Sequence, residues 1–218
     1  MNACETEIAG ERVLLLPEKA LYWPRERTLM VADIHFGKAA SFRALGVPVP
    51  RGTTKENLSV LDELLARLDI ARIVFLGDFL HAKTAQAPAT LQAMLRWRER
   101  HAELELVLVR GNHDWHAGDP SELLRVTMVD EPYEQGPYAL CHHPHLQSKN
   151  FVIAGHVHPV YHLRTARESL RLPCFIVGER RGILPSFGAF TGGHALIPHA
   201  TDRVYVVADK LIFPIEIR

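Results

Sequence analysis

The stretch TLMVADIHFGK, residues 28–38, is where the prediction of the fold begins. Its first residues, 28–32, form a short, largely apolar run that is typical of a buried strand. Asp33 and His35 follow directly, and in extended backbone residues at positions i and i+2 point to the same side. The stretch therefore predicts a strand whose end presents a carboxylate and an imidazole together.

The same arrangement recurs along the chain, because further polar clusters follow predicted strands. They are Asp78; Asn112, His113 and Asp114; His142 and His143; and His156 and His158. Ligand sites in parallel sheets lie at the carboxyl ends of the strands. A glycine before several of these clusters allows a sharp turn and a close approach. Carboxylate, amide and imidazole groups gathered at one sheet edge predict a metal site.

Each cluster taken alone has a plainer interpretation. Asp33 and His35 are also typical of a polar strand end, and Gly77-Asp78 of a simple turn. Asn112 fits the start of a helix near residue 113, and paired histidines occur in cores and on surfaces. The fixed order of all the clusters, each at a strand end, favours the metal site.

The apolar pattern indicates an α/β chain that is helical only in its first half. Helical spacing covers residues 56–68 and, less regularly, 89–100, and a short helix near residues 122–125 is an alternative to loop. Residues 36–54 and 178–198 look long and irregular, as functional loops often are. With no linker or repeat, we expect a single domain over residues 1–218. Strands are predicted at residues 13–16, 28–32, 72–76, 105–109, 138–141, 151–154, 174–177, 204–207 and 211–215.

Composition narrows the class of protein. There are 25 basic and 25 acidic residues, so no overall positive field exists to hold nucleic acid or a membrane. Three widely spaced cysteines without a C-x-x-C pair are typical of a reducing compartment. The acidic N-terminal residues do not fit a signal peptide, and no apolar run approaches the roughly 18 residues of a membrane span. We expect a cytoplasmic protein without membrane contact, whose unusual feature is its 13 histidines.

The ordered clusters resemble the motifs of the calcineurin-like metallophosphoesterase superfamily: D-x-H, G-D, G-N-H-[DE], H and G-H-x-H. All of them occur between Asp33 and His158. The resemblance implies an α/β fold, a four-layer αββα sandwich with two mixed β-sheets, and two divalent metal ions at the strand ends. It implies that one metal is held by Asp33, His35 and His158, the other by Asn112, His142 and His156, and that Asp78 bridges both.

The donor types agree with this chemistry. Two cations can clamp a phosphoryl group and lower the pKa of a bridging water, so that hydroxide attacks phosphorus. Oxygen and imidazole donors without thiolate suit Mn²⁺, Fe or Zn²⁺, of which we favour Mn²⁺. The resemblance implies that His113 stabilises the phosphate or protonates the leaving oxygen, and that Asp114 orients His113.

The fourth motif, HHPH at residues 142–145, departs from the family pattern of a histidine followed by a small residue. We prefer His142 as the ligand because it directly follows a predicted strand. His143 is held in reserve, since adjacent strand residues point to opposite sides. His81, shortly after Asp78, is predicted to contact substrate, with a plain loop histidine as the alternative.

Within the superfamily, the chain looks closest to the bacterial ligase-associated DNA damage response endonucleases. The resemblance lies in residues 29–52, LGDFLH at 76–81, VRGNHD at 109–114, IAGHVHP at 153–159 and LPSFGAFTGG at 184–193. It implies a phosphodiester substrate in DNA and association with a DNA ligase and helicase. Cationic side chains could bind phosphates and aromatic rings could stack on bases, although a single arginine is more often part of a solvated surface. These residues are Lys38, Arg43, Arg51, Arg180, Arg181, Phe187 and Phe190.

Two other functions remain open from the sequence. A hydrolase of small phosphoesters or nucleotides would use the same centre, and the zero net charge favours it. A non-catalytic scaffold that binds a partner would be marked by lost ligands, whereas His113 and the seven predicted ligands are all present.

Overall fold

A computed structural model describes residues 2–49, 52–83, 87–164 and 169–217, and the side chains of these residues apart from residue 164. Arg51, a predicted phosphate contact, lies outside them. The helices are α1 (Lys38–Ala44), α2 (Thr53–Arg67), α3 (Pro88–Arg100) and α4 (Asn112–Ala117). The strands are β1 (Cys4–Ile8), β2 (Glu11–Leu16), β3 (Ala20–Trp23), β4 (Thr28–Ala32), β5 (Arg72–Leu76), β6 (Glu105–Val109), β7 (Val126–Val129), β8 (Tyr133–Gln135), β9 (Tyr138–Leu140), β10 (Phe151–Ala154), β11 (Pro159–Arg164), β12 (Ser169–Val177), β13 (Arg181–Ile183), β14 (His194–Ala195), β15 (Arg203–Ala208) and β16 (Leu211–Ile215).

The first sheet is mixed and runs in the order β1-β2-β3-β4-β5-β6-β7. Strands β1 to β4 are joined antiparallel by short turns, while β4 to β7 pair parallel. Parallel neighbours need a crossover, and α2 and α3 connect β4 to β5 and β5 to β6. The carboxyl ends of β4, β5 and β6 therefore lie side by side at one edge of the sheet.

Successive side chains of β4 point to opposite faces of the first sheet and pack into two different hydrophobic cores. Leu29 and Val31 pack with α2 and α3, while Met30 and Ala32 belong to a second core that the two sheets share. Both sets are fully buried, which is why β4 is apolar at almost every position.

The second sheet runs in the order β14-β11-β12-β13-β10-β9-β8, with β15 also paired to β12 and β16 to β15. Within it, β9, β10 and β13 are parallel neighbours, so their carboxyl ends share one edge. In the described residues, the clusters on its outer face contain no helical residue; Leu146, Leu172 and Leu196 are among those that pack there.

The predicted α/β fold with two mixed sheets is confirmed, and every predicted strand is present. Both predicted helices form, and residues 122–124 form a 3-10 turn. The segments predicted to be irregular contain α1 in the first, and β13 and the two-residue β14 in the second. Among the described residues, no helix is long and apolar enough to cross a membrane.

Candidate metal centre

The seven predicted ligands come together where the carboxyl ends of the two sheets meet. Asp33 follows β4, Asp78 follows β5 after Gly77, and Asn112 follows β6 after Arg110 and Gly111. From the second sheet, His142 lies just after β9 and His156 just after β10, with His158 two residues further. We call these residues the ligand cluster: Asp33, His35, Asp78, Asn112, His142, His156 and His158.

Asp33, His35 and His158 form one half of the ligand cluster. Each offers a ligand atom, and these atoms lie within 4.8 Å of one another. The His158 Nε2 to Asp33 Oδ1 distance is 3.5 Å. This grouping is the one that the family resemblance assigned to one metal.

Asn112, His142 and His156 form the other half. His142 Nε2 lies 2.9 Å from Asn112 Oδ1 and 2.9 Å from His156 Nδ1. Three donor atoms thus converge on one point. His142 is fully buried, and its Nδ1 lies 3.1 Å from the Leu76 carbonyl oxygen, so the ring is wedged between the two sheets.

Asp78 lies between the two halves. Its Oδ2 is 3.6 Å from His35 Nε2, and its Oδ1 is 3.6 Å from His142 Nε2. Each carboxylate oxygen therefore faces a different half of the ligand cluster. This is the position expected for the metal-bridging role that the family resemblance implies for Asp78.

The backbone of the ligand cluster is left-handed rather than extended. Asp33, His35, Asp78, His156 and His158 have φ between 48° and 68°. The sequence predicted that Asp33 and His35 would point together because the strand stays extended, and this geometric reason is wrong. The pairs are brought together by tight left-handed turns, a conformation that is costly for residues other than glycine and that is found at functional sites.

At two positions, only glycine leaves room for a ligand side chain that packs against the backbone. At Gly77, with φ of +76°, an added Cβ would overlap the His142 ring. At Gly111, an added Cβ would lie 2.5 Å from Asp78 Oδ1 and 2.6 Å from the Asp78 backbone nitrogen. Both glycines therefore allow ligand side chains from neighbouring strands to pack directly against the backbone.

The buried polar atoms fit a metal site. Asp33 Oδ1, both ring nitrogens of His35 and His158 Nε2 are buried without a hydrogen-bond partner. Unpaired buried polar groups are costly unless a ligand satisfies them. Burial also lowers the pKa of His142 to about 4 and lowers those of His35 and His156, so these imidazoles are neutral at pH 7 and able to ligate.

His113 lies beside the ligand cluster and is held from two sides. Its backbone N–H donates to Asp78 Oδ1 at 3.0 Å, and its Nδ1 lies 2.9 Å from the carbonyl oxygen of His81. Its ring meets that of His35 edge-on, with centroids 5.2 Å apart. His113 is therefore placed to reach a group bound at the Asp33 half of the ligand cluster.

Asp114 is buried and binds backbone rather than the His113 ring. Its carboxylate accepts hydrogen bonds from the N–H groups of Phe79, Leu80 and Gly111 at 2.9, 3.1 and 2.9 Å. Burial raises its pKa to about 6. The Phe79–Leu80 turn leads to the His81 carbonyl group that holds His113, so any orienting effect of Asp114 on His113 passes through this turn.

Glu131 is a supporting residue that the sequence did not reveal. Its Oε2 accepts hydrogen bonds from the backbone N–H groups of His142 and His143 at 2.7 and 2.9 Å. Its Oε1 lies 2.6 Å from His143 Nδ1. His143 itself offers a ligand atom near His142 and His156, as its reserve role requires, but its Nδ1 is occupied by Glu131. No spacing in the sequence links residue 131 to residue 142.

The predicted substrate contacts are placed differently. His81 lies beside the ligand cluster, because its ring stacks on that of His113 with centroids 5.0 Å apart. Arg180 and Arg181 lie beside the start of β10, whereas the ligand cluster follows its end. Arg180 donates to the Ser148 and Lys149 carbonyl groups, and Arg181 donates to the Pro144 carbonyl group. The structure therefore brings His81, but not Arg180, to the ligand cluster.

Comparison with known proteins agrees with this geometry. The family model described as calcineurin-like phosphoesterase matches residues 26–169. The crystal structure of the nuclease MPE from Pseudomonas putida is 46% identical, with a TM-score of 0.88, and the match covers 98% of this chain and 100% of that one. The phosphoesterase YfcE from E. coli is 16% identical with a TM-score of 0.43, covering 88% and 99%. No curated protein gives a significant match. The chain therefore belongs to the calcineurin-like phosphoesterase family and is a metal-dependent phosphoesterase.

Proposed function

We propose that the protein is a dinuclear phosphodiesterase that cleaves DNA, a nuclease linked to DNA repair. The observation that carries the proposal is the position of Asp78, whose two oxygens face the two halves of the ligand cluster. The similarity to a nuclease over nearly the full chain supports a nucleic-acid substrate. Association with a DNA ligase and helicase rests on the family resemblance alone, and the free thiols of Cys4, Cys141 and Cys174 support a cytoplasmic setting.

Asp33, His35 and His158 would hold one divalent cation, Asn112, His142 and His156 the other, and Asp78 both. The donor set suits Mn²⁺, with Fe or Zn²⁺ as alternatives. When bound, the cations would supply Lewis acidity toward phosphoryl oxygens and make a water molecule more acidic.

The protein's own side chains would then orient the substrate and protonate the leaving oxygen. In its imidazolium form, His113 would donate a hydrogen bond from Nε2 to the phosphate or a proton to the leaving oxygen, because its Nδ1–H is directed at the His81 carbonyl group and its Nε2 has no hydrogen-bond partner among the described residues. Asp114 would keep the turn that carries this carbonyl group in place. The buried imidazoles of His35 and His142 lie 3.6 Å from the Asp78 carboxylate and would shield it from solvent, which strengthens its electrostatic interactions.

The test uses metal-free protein to which Mn²⁺ is added. Initial rates are compared on bis-p-nitrophenyl phosphate, a diester, and p-nitrophenyl phosphate, a monoester, and then on DNA. His113→Ala is expected to retain its metals and to lose about 10²- to 10⁴-fold in turnover. His162→Ala, an exposed histidine of β11, is the matched control and should retain wild-type rates.

The outcomes separate the candidate functions. Diester and DNA cleavage that is lost in His113→Ala supports the nuclease. Cleavage of the monoester alone would replace it with a hydrolase of small phosphoesters, the candidate favoured by the zero net charge. Absence of cleavage on all substrates, with metals bound, would leave the scaffold.

A further inference from the structure

Helix α1 (Lys38–Ala44) places two side chains beside the ligand cluster that the proposed chemistry leaves without a role. The helix begins three residues after His35, and the Lys38 N–H donates to the His35 carbonyl oxygen at 3.2 Å. Lys38 and Phe42 are four residues apart and therefore lie on the same face of α1. This face is directed toward the two carboxylates and the histidine rings of the ligand cluster, as the contacts below show.

Lys38 supplies a positive charge next to the carboxylates. Lys38 is half-buried, and its charge interacts electrostatically with the carboxylates of Asp33 and Asp78. Within the described part of the chain, it forms no ion pair with a carboxylate. A partly desolvated cation without a paired anion, beside a site for phosphoryl groups, is suited to binding a phosphate oxygen.

Phe42 ends a column of stacked rings that starts at His113. The Phe42 and His81 rings are nearly parallel, at 24° with centroids 5.8 Å apart, and the His81 and His113 rings are also at 24°, 5.0 Å apart. Phe190 meets Phe42 edge-on at 5.8 Å. Phe42 and Phe190 both remain partly exposed, so the outer end of the column is open to a further ring.

We propose that this face of α1 is a nucleotide subsite: Lys38 binds a non-bridging oxygen of the scissile phosphodiester, and Phe42 with Phe190 stacks the base of an adjoining nucleotide. The proposal rests on the proposed nuclease function and adds a recognition element to it. Bases stack on aromatic side chains regardless of sequence, so the subsite favours nucleotides over other phosphodiesters without selecting a particular base.

The experiment tests the proposed contact with the base separately from the proposed contact with the phosphate. The substrates are an oligothymidylate and an abasic oligomer of the same length with tetrahydrofuran in place of each nucleoside, and kcat/KM is measured with Mn²⁺. Wild type is expected to prefer the oligothymidylate by about 5- to 100-fold, the range for loss of one stacking interaction. Phe42→Ala should abolish this preference by lowering kcat/KM on the oligothymidylate more than on the abasic oligomer, and Phe42→Trp should restore it.

Lys38 should act on both substrates equally, because both contain the phosphate. Lys38→Ala is expected to lower kcat about 10²- to 10³-fold on each, and Lys38→Arg to recover part of the loss. The matched controls are Phe213→Ala on β16 and Lys149→Ala, which precedes the start of β10, whereas the ligand cluster follows its end; both residues are exposed, and both variants should behave as wild type. Metal content is measured for every variant.

Three outcomes would refute different parts of the proposal. If wild type cleaves both oligomers equally, or Phe42→Ala slows both equally with metals retained, Phe42 only supports His81 and the base subsite is refuted. If Lys38→Ala cleaves both oligomers at the wild-type rate, the phosphate contact is refuted. If wild type cleaves neither oligomer but hydrolyses p-nitrophenyl phosphate, the nuclease proposal itself fails and the subsite falls with it.

Discussion

Removal of the Glu131 carboxylate should weaken metal binding without affecting the chemistry. This carboxylate fixes the segment that carries His142, through two backbone N–H groups and the His143 ring, at 2.6 to 2.9 Å. A hydrogen bond to a charged group contributes about 1.5–3 kcal/mol. The Glu131 side chain is 20% exposed, so water can replace part of this in Glu131→Ala. We expect a loss of about 2–4 kcal/mol in the free energy of unfolding.

Metal affinity tests the role of Glu131 more specifically than the free energy of unfolding does. Loss of a residue that orients a ligand typically costs 10–100-fold in metal affinity, so Glu131→Ala should need about 10–100-fold more Mn²⁺ for half-maximal activity. At saturating Mn²⁺ its turnover should approach that of wild type. Glu131→Gln is the matched control, because its amide oxygen can still accept the two backbone hydrogen bonds, and its Mn²⁺ requirement should lie between the two.

The pH dependence has a defined sign. Burial opposes ionisation of Glu131, but the hydrogen bonds from His143 and the backbone outweigh it, so the pKa of Glu131 is below its ordinary value of 4.5 in the folded protein. Its stabilisation is therefore present above this ordinary value and is lost as the pH falls through the folded-state pKa. The difference in unfolding free energy between wild type and Glu131→Gln should shrink on acidification. A Glu131→Ala protein with wild-type Mn²⁺ dependence, or with turnover abolished at saturating Mn²⁺, would refute the positioning role.

Three further substitutions test other contacts. Asp78→Asn should weaken both metals, since each of its oxygens faces one half of the ligand cluster, and two metals per chain at wild-type affinity would contradict this. Gly77→Ala should destabilise by about 2–4 kcal/mol in thermal unfolding and impair metal binding, because its Cβ would overlap the His142 ring; wild-type stability would refute the close approach. Burial lowers the pKa of Lys19 to about 8 from 10.5, so its charge costs stability below pH 8 and the cost disappears as the pH rises toward 10.5. Lys19→Met should therefore be more stable at pH 7, by about 3 kcal/mol at most, and should lose this rise with pH in denaturant titrations.

The strands and long helices could be predicted because the pattern of apolar residues that indicates each one lies within a single segment of the chain. β4, β5 and β6 are apolar throughout since both faces are buried, and α2 repeats leucines at helical spacing. Helix α1 was missed because it is only seven residues long and carries no regular apolar stripe. The short strands β13 and β14 exist through pairing with β10, β12 and β11, which no local pattern reveals.

The clusters that contain the candidate ligands could be predicted for a similar reason, since each lies within four residues after a strand. What the sequence could not supply is contact between distant segments. Glu131 reaches His142 only because the second sheet turns its segment toward β9, and Phe42 reaches His81 only because α1 packs over the loop after β5. Arg180 illustrates the converse, because a basic residue in a glycine-rich region looked like a substrate contact but lies beside the start of β10.

The left-handed turns of the ligand cluster explain why its carboxylates have two roles. Each non-glycine residue in this conformation costs roughly 1–2 kcal/mol, so the turns need support from elsewhere in the fold. Asp33 Oδ2 accepts the His156 N–H at 2.9 Å, Asp78 Oδ1 accepts the His113 N–H at 3.0 Å, and the Asp78 carbonyl oxygen accepts the His35 N–H at 2.8 Å. Each carboxylate therefore accepts a backbone hydrogen bond that supports a turn, and each also faces imidazole nitrogens of the ligand cluster. The His35 ring nitrogens, buried and without a hydrogen-bond partner, give no such support. The backbone of the ligand cluster is thus set by the protein itself, and the strain at the ligands is offset by these hydrogen bonds, of which that between Asp33 and His156 joins the two sheets.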